Sequence, residues 1–171
     1  PKTRLLASAY SHGSILSQIA QPVLNDLCEI AKWPADLLSR NGLSMIIEAT
    51  NREIAPIRLN RFEQSRFPIL SSSSGLVFLA HMAREEQLEI IRSVFAQSGR
   101  MIDGRLYDES EVQDQLGEIA DQGYATRDYD TPIEGTRVVS VAVTGSNGPI
   151  AAITMILLRD VIHTDLLRER V

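Results

Sequence analysis

The chain has 171 residues, 44% of them hydrophobic, with 17 Lys+Arg against 22 Asp+Glu and a net charge of −5. That length and apolar content suffice for one core in a single domain, and the negative sign argues against a surface that must neutralise nucleic-acid phosphates. No secretory or membrane-spanning segment is evident and the single Cys28 lies in an apolar stretch, so a soluble, cytoplasmic protein without disulfides is expected, with Cys28 in its core.

From Ser14 to Lys32 the residues Ile15, Ile19, Val23, Leu27 and Ile30 recur at helical spacing. They predict a helix that packs this stripe inward and that Pro22 kinks or splits. "ADLLSRNGLSMIIEAT" reads as two strands joined at Asn41-Gly42, a dipeptide suited to the positive φ angles of a tight hairpin, and "EIAPIRLNRF" continues as a third strand. A helix from about Ser74 to Met82 follows. The next, from about Arg84 to Gln97, carries Leu88, Ile91, Val94 and Phe95 as an apolar stripe. "DESEVQDQLGEIADQG" predicts another helix, with Asp108 and Glu111 as a capping box and Gly123 as its terminator. "YATRDYD" is a strand leading to a loop around Thr131 to Gly135, and "RVVSVAVTGSNGPIAAITMILL" is a hairpin turning at Ser146-Asn147-Gly148. "HTDLLRERV" opens a closing helix with Thr164 as its cap. Hairpins with helices between them predict an α+β domain on an antiparallel sheet.

The motifs give little support to catalysis. His12, His81 and His163 fall in a polar N-terminal loop, at a helix end and before the last helix, and share no metal-ligand spacing. The acidic helix residues Glu109, Glu111, Asp114, Glu118 and Asp121 read as a solvated face. No catalytic residue, metal or cofactor is therefore expected. What stands out is "FPILSSSSGLVFLA", where four serines, Ser71 to Ser74, precede Gly75 and an apolar helix. One serine caps a helix by accepting a hydrogen bond from a free N–H. The others form a polar loop, or, with small residues at a positive helix end, a site for a carboxylate. A hydrolase using one of these serines is an alternative, although "SSSSG" lacks the first glycine of Gly-x-Ser-x-Gly. A purely structural dimerisation module is another.

Across nearly its whole length the chain resembles the effector-binding domain of the IclR family of bacterial transcription regulators. "FPILSSSSGLVFLA" is similar to the family's Pro-Leu-x-x-Thr-Ala-x-Gly-Lys-Ala-x-Leu-Ala segment, with Pro68, Gly75, Leu79 and Ala80 in place. Ser72 stands for the usual threonine, Ser73 for the alanine and Leu76 for the lysine, and Thr144 lies near a common proline. "LGEIADQGYATRDYDTPIEGTRVVSVAVTGSNGPIAAITM" resembles the family's later helix, Gly-Tyr, acidic loop, glycine and hairpin. "WPADLLS" and "RLNRFEQSRFPI" look closest to the branch regulating breakdown of phenylpropionate-type and other aromatic acids.

The resemblance implies a curved antiparallel sheet flanked by helices, related to GAF and PAS domains, with the ligand in a cavity above the sheet. It implies one effector-binding domain over residues 1–171, working as a homodimer or homotetramer, without membrane contact. DNA would be bound only through a preceding winged helix-turn-helix domain outside this chain. Carried over by position, the ligand-binding residues for a small, aromatic carboxylic acid fall on Leu59, Phe67, Ser72, Ser73, Ser74, Arg127, Asp128, Thr136, Val138, Thr154 and Ile156. Arg127 would meet the ligand or pair with Asp128 or Asp130, and Arg58 and Arg66 lie on the surface. The loop from Arg127 to Gly135 would close over the cavity.

Overall fold

The computed structural model describes residues 2–56, 66–102, 105–129 and 135–159. The helices are α1 (Lys2–Ala31), α2 (Ser73–Ala80), α3 (Arg84–Ser98) and α4 (Glu109–Gln122). The strands are β1 (Ala35–Asn41), β2 (Ser44–Thr50), β3 (Arg66–Pro68), β4 (Met101–Ile102), β5 (Arg105–Leu106), β6 (Ala125–Tyr129), β7 (Thr136–Gly145) and β8 (Gly148–Leu158). Six of them form a curled antiparallel sheet in the order β3-β2-β1-β8-β7-β6, and β4 and β5 pair separately. The α+β class expected from the sequence is the one found.

Successive residues of a strand point to opposite faces, so β1, β7 and β8 supply two different surfaces at once. Leu38, Ala142 and Ala152 face α2, where Leu76, Val77, Phe78 and Leu79 join Ile91, Leu116 and Ile119 in the larger core. Leu37, Val143, Ala151 and Ile153 face α1 and pack on Leu16, Ala20, Leu24 and Leu27. All eight residues of α2 are buried between the sheet and α4. Gly75 allows this: a Cβ there would lie 2.0 Å from the Ile69 carbonyl oxygen, so only glycine lets the helix begin so close to the preceding turn.

Polar groups lock the junctions. Buried Asn51 accepts from the Ala35 N–H at 2.7 Å and donates to the Leu24 carbonyl, tying α1 to the β1–β2 hairpin. Gln87 donates to the carbonyls of Leu79 and Met82 at 2.8 and 3.1 Å, which satisfies the open C-terminal end of α2. Asp108 and Glu111 form the expected capping box, and Gly123 ends α4 at φ +83°.

Several expectations need correction. Helix α1 starts at Lys2, includes His12, and runs through Pro22 without a break. Sheet packing by Ala20 and Leu24 on either side outweighs the one lost hydrogen bond. Of the expected stripe only Leu27 packs inward: Ile19 and Ile30 are 68% and 82% exposed, Ile15 and Val23 are also exposed, and Leu24 and Cys28 are buried instead. Two apolar stripes wind round this helix, and the sheet can cover only one. In the first hairpin Asn41 still pairs with Ser44, so the turn is Gly42-Leu43 with Gly42 at φ +64°. Glu53 and Ile54 belong to a turn rather than a strand, because Asn51 accepts from the N–H groups of Ile54 and Ala55. Most of the expected third strand, including Arg58 and Leu59, lies outside the described residues, as do the loop residues 130–134, His163 and the closing helix.

Candidate functional site

The serine run is divided among several jobs. Ser72, extended at φ −118° and ψ 144°, is the N-cap of α2: its hydroxyl accepts from the Gly75 N–H at 3.2 Å and donates to the Pro68 carbonyl at 2.8 Å. Ser74 donates to Ser72 Oγ at 3.3 Å. Ser71 closes the entering turn, its N–H on the Pro68 carbonyl at 3.3 Å. Ser73 reaches across to the sheet, where the Ser140 hydroxyl donates to it at 2.8 Å and also shares a 2.8 Å bond with Thr154 Oγ1. A hydroxyl has one proton to give, so Thr154 is the donor in that second bond, and the proton of Ser73 remains for another partner. The backbone N–H groups of Ser73 and Ser74 are the first two of the helix, and neither finds an acceptor among the described residues.

Ser140 and Thr154 belong to a polar row crossing the sheet. Register pairs Ser140 with Thr154, Thr154 with Asp36, and Asp36 with Thr50, so these four side chains stand on adjacent strands along one line. Asp36 is only 3% exposed. It accepts from Thr50 Oγ1 at 2.7 Å and forms an ion pair with Arg52. Asp36, Leu38, Phe67, Ser72, Ser73, Ser74, Val138 and Thr154 line a recess between α2 and the sheet with about 20 Å³ of free space, water-sized as it stands.

Of the residues expected from the sequence, Phe67, Ser72, Ser73, Ser74, Val138 and Thr154 are brought together here. Ile156 and Arg127 pair with Val138 and Thr136 follows in the next row of the same face, so all three flank the recess without lining it. Asp128 pairs with Arg137 on the opposite face, with hydrogen bonds of 2.7 and 3.0 Å to that guanidinium. Hydrogen bonding from Arg137 holds its carboxyl below the usual carboxylate range. Asp36 and Leu38 were missed. An acid between Ala35 and Leu37 in "WPADLLS" carries the same signal as Thr154 in "AAITMILL": a polar residue in an apolar strand must be paired when buried.

A second recess lies on the other face. Leu27, Ala31, Trp33, Val139, Val141, Ile153, Met155 and Leu157 line an apolar groove of about 380 Å³. Among the described residues no group of three or more His, Cys, Asp or Glu is placed to hold a metal, and no helix is long and apolar enough to cross a membrane.

The profile of the bacterial transcriptional regulator IclR C-terminal domain matches residues 8–169. The chain belongs to this family. Solved structures agree in fold. A transcriptional regulator from Rhodococcus sp. RHA1 superposes with a TM-score of 0.75 at 19% identity, covering 98% of this chain and 68% of that one. The IclR of Thermotoga maritima gives 0.73 at 18% identity, over 95% of this chain and 67% of its own. The inducer-binding domain of a PobR double mutant from Acinetobacter, solved with 3-hydroxybenzoic acid, gives 0.70 at 20% identity, over 90% of this chain and 89% of that one. In this IclR-type domain, then, the polar recess sits at the start of the helix that carries the serine run.

Proposed function

We propose that this domain senses a small aromatic carboxylic acid, held by the N–H groups of Ser73 and Ser74 and walled by Phe67, Leu38 and Val138. The observation that carries the reading is that these two N–H groups, at a positive helix end, are buried against the recess without an acceptor among the described residues. A carboxylate supplies the missing acceptors. The Ser73 hydroxyl, with Thr154 behind it through Ser140, adds a further donor. PobR, bound to an aromatic acid, lends support as a relative in fold. On this reading the domain is not an enzyme. It acts on DNA through a winged helix-turn-helix module outside this chain, by shifting the assembly of a homodimer or homotetramer or the angle at which those modules are presented. The exposed Ile15, Ile19, Val23 and Ile30 of α1 support self-association.

A water-sized recess cannot hold an aromatic acid, so binding must part α2 or β3 from the sheet. That requirement suits a sensor, because a ligand shifts an equilibrium only if two states differ in affinity for it. The small volume also favours the second reading, a purely structural dimerisation module. The two separate in a thermal-shift titration with aromatic and short aliphatic carboxylates, since an acid that binds the native state raises the melting temperature by mass action. Ser73→Pro compared with Ser73→Ala then isolates the donor: both lose the hydroxyl that meets Ser140, and proline, which suits the first helical position after the extended Ser72, loses one N–H as well. From alanine to proline, affinity should fall roughly 10- to 100-fold, as expected for one hydrogen bond to a charged group. No shift with any acid would leave the structural reading standing.

A further inference from the structure

The recess has two chemically different ends. At the α2 end, donors converge: the N–H groups of Ser73 and Ser74 and the Ser73 hydroxyl. At the other end stands an acceptor, Asp36. Its carboxylate takes the Thr50 hydroxyl on one oxygen and the Arg52 guanidinium on the other. A carboxylate offers about four acceptor positions, so about two remain, and Asp36 lines the free space of the recess.

We propose that Asp36 is a specificity residue that accepts a hydrogen bond from a hydroxyl of the effector, so that the effector is a hydroxy acid with the hydroxyl across the ligand body from the acid group. The inference rests on the reading of the α2 end as a carboxylate site. Arg52 already balances the charge of Asp36, which favours a neutral O–H over an ammonium. A second carboxylate at this end would meet Asp36 and be repelled. The spacing follows from register. Asp36 pairs with Thr154 and Thr154 with Ser140, whose hydroxyl meets Ser73. Asp36 thus stands two strand spacings, roughly 10 Å at the backbone, from the residue under the donor end. A hydroxyl on the carbon next to the acid group cannot span that distance; one on the far side of a ring can. Leu38, Phe67 and Val138 supply the apolar wall between the ends.

The test is a calorimetric titration of the chain with benzoate, 4-hydroxybenzoate and 2-hydroxybenzoate, and with phenylpropionate and its 4-hydroxy form. The 4-hydroxy member of each pair should bind roughly 10- to 100-fold more tightly than its parent, and 2-hydroxybenzoate should gain nothing. Asp36→Leu, which unlike asparagine keeps no oxygen to accept the hydroxyl, should bring the ratio close to one. Because that change leaves Arg52 without its partner, Asp36→Leu combined with Arg52→Gln removes the pair together and should show the same lost preference. Equal affinity of parent and 4-hydroxy acids, or a preference that survives in both variants, overturns the role of Asp36 and leaves the carboxylate site intact. Binding of none of the acids overturns the carboxylate site and this inference with it.

Discussion

Two recesses are built from the same strands and could hardly differ more. Val138, Ser140 and Thr154 turn toward α2, while Val139, Val141, Ile153 and Met155, their immediate neighbours, turn toward α1. The α1 side has about 380 Å³ of groove and an apolar lining; the α2 side has about 20 Å³ and adds to Leu38, Phe67 and Val138 a set of hydroxyls, a carboxylate and two N–H groups without an acceptor among the described residues. Volume alone would choose the groove. A small acid there would bury its charge among Leu, Val, Ile and Met, with the Trp33 indole N–H the one side-chain donor among the lining residues, which costs several kcal/mol. The comparison teaches that the placement of polar anchors, more than the amount of space, marks a site for a polar ligand.

The comparison breaks most severely at Gly75. Gly75→Ala puts a methyl group against the Ile69 carbonyl, so the start of α2 must move. A loss of about 3 kcal/mol in denaturant unfolding is expected, together with loss of acid binding. On the other face, Ile153→Ala should cost about 2 kcal/mol by loosening the packing on α1. Its acid affinity should not change; a tenfold drop would mean that the two faces are not independent.

Ser140→Ala sharpens the contrast from the polar side. Ser140 is buried and bridges Ser73 to Thr154, so its removal strands one hydroxyl on each side and should cost about 1–2 kcal/mol. Unlike Ile153→Ala, it should weaken acid binding, since Ser73 is no longer held in place. The smallest effect belongs to Asp128, on the face away from the recess. Its folded-state pKa is depressed, chiefly by the hydrogen bond from Arg137. The stabilisation is therefore present above the ordinary carboxylate pKa of about 4 and fades as pH falls through the lower folded value. Asp128→Asn should cost less than about 1 kcal/mol at pH 7 and progressively less as the pH falls through the lowered folded value, with acid binding unchanged.

Local chemistry made much of this molecule legible in its sequence. A cap, a glycine after a helix and a β-branched run act within a few residues, so the Asp108–Glu111 capping box, the Gly123 terminator and the long β7–β8 hairpin could be read directly. The serine run was recognisable for the same reason, because capping is a matter of three residues. Tertiary structure decided what locality cannot. Periodicity found an apolar stripe on α1 and chose Ile15, Ile19, Val23, Leu27 and Ile30; of these Leu27 packs on the sheet, yet full burial went to Leu24 and Cys28, since only the position of the sheet determines which of two apolar faces it covers. The link from Ser73 through Ser140 to Thr154 joins positions 67 and 14 residues apart, and the row continues to Asp36 through strand register. No spacing along the chain encodes that juxtaposition, because it exists only once β1, β8 and β7 lie side by side under the first turn of α2.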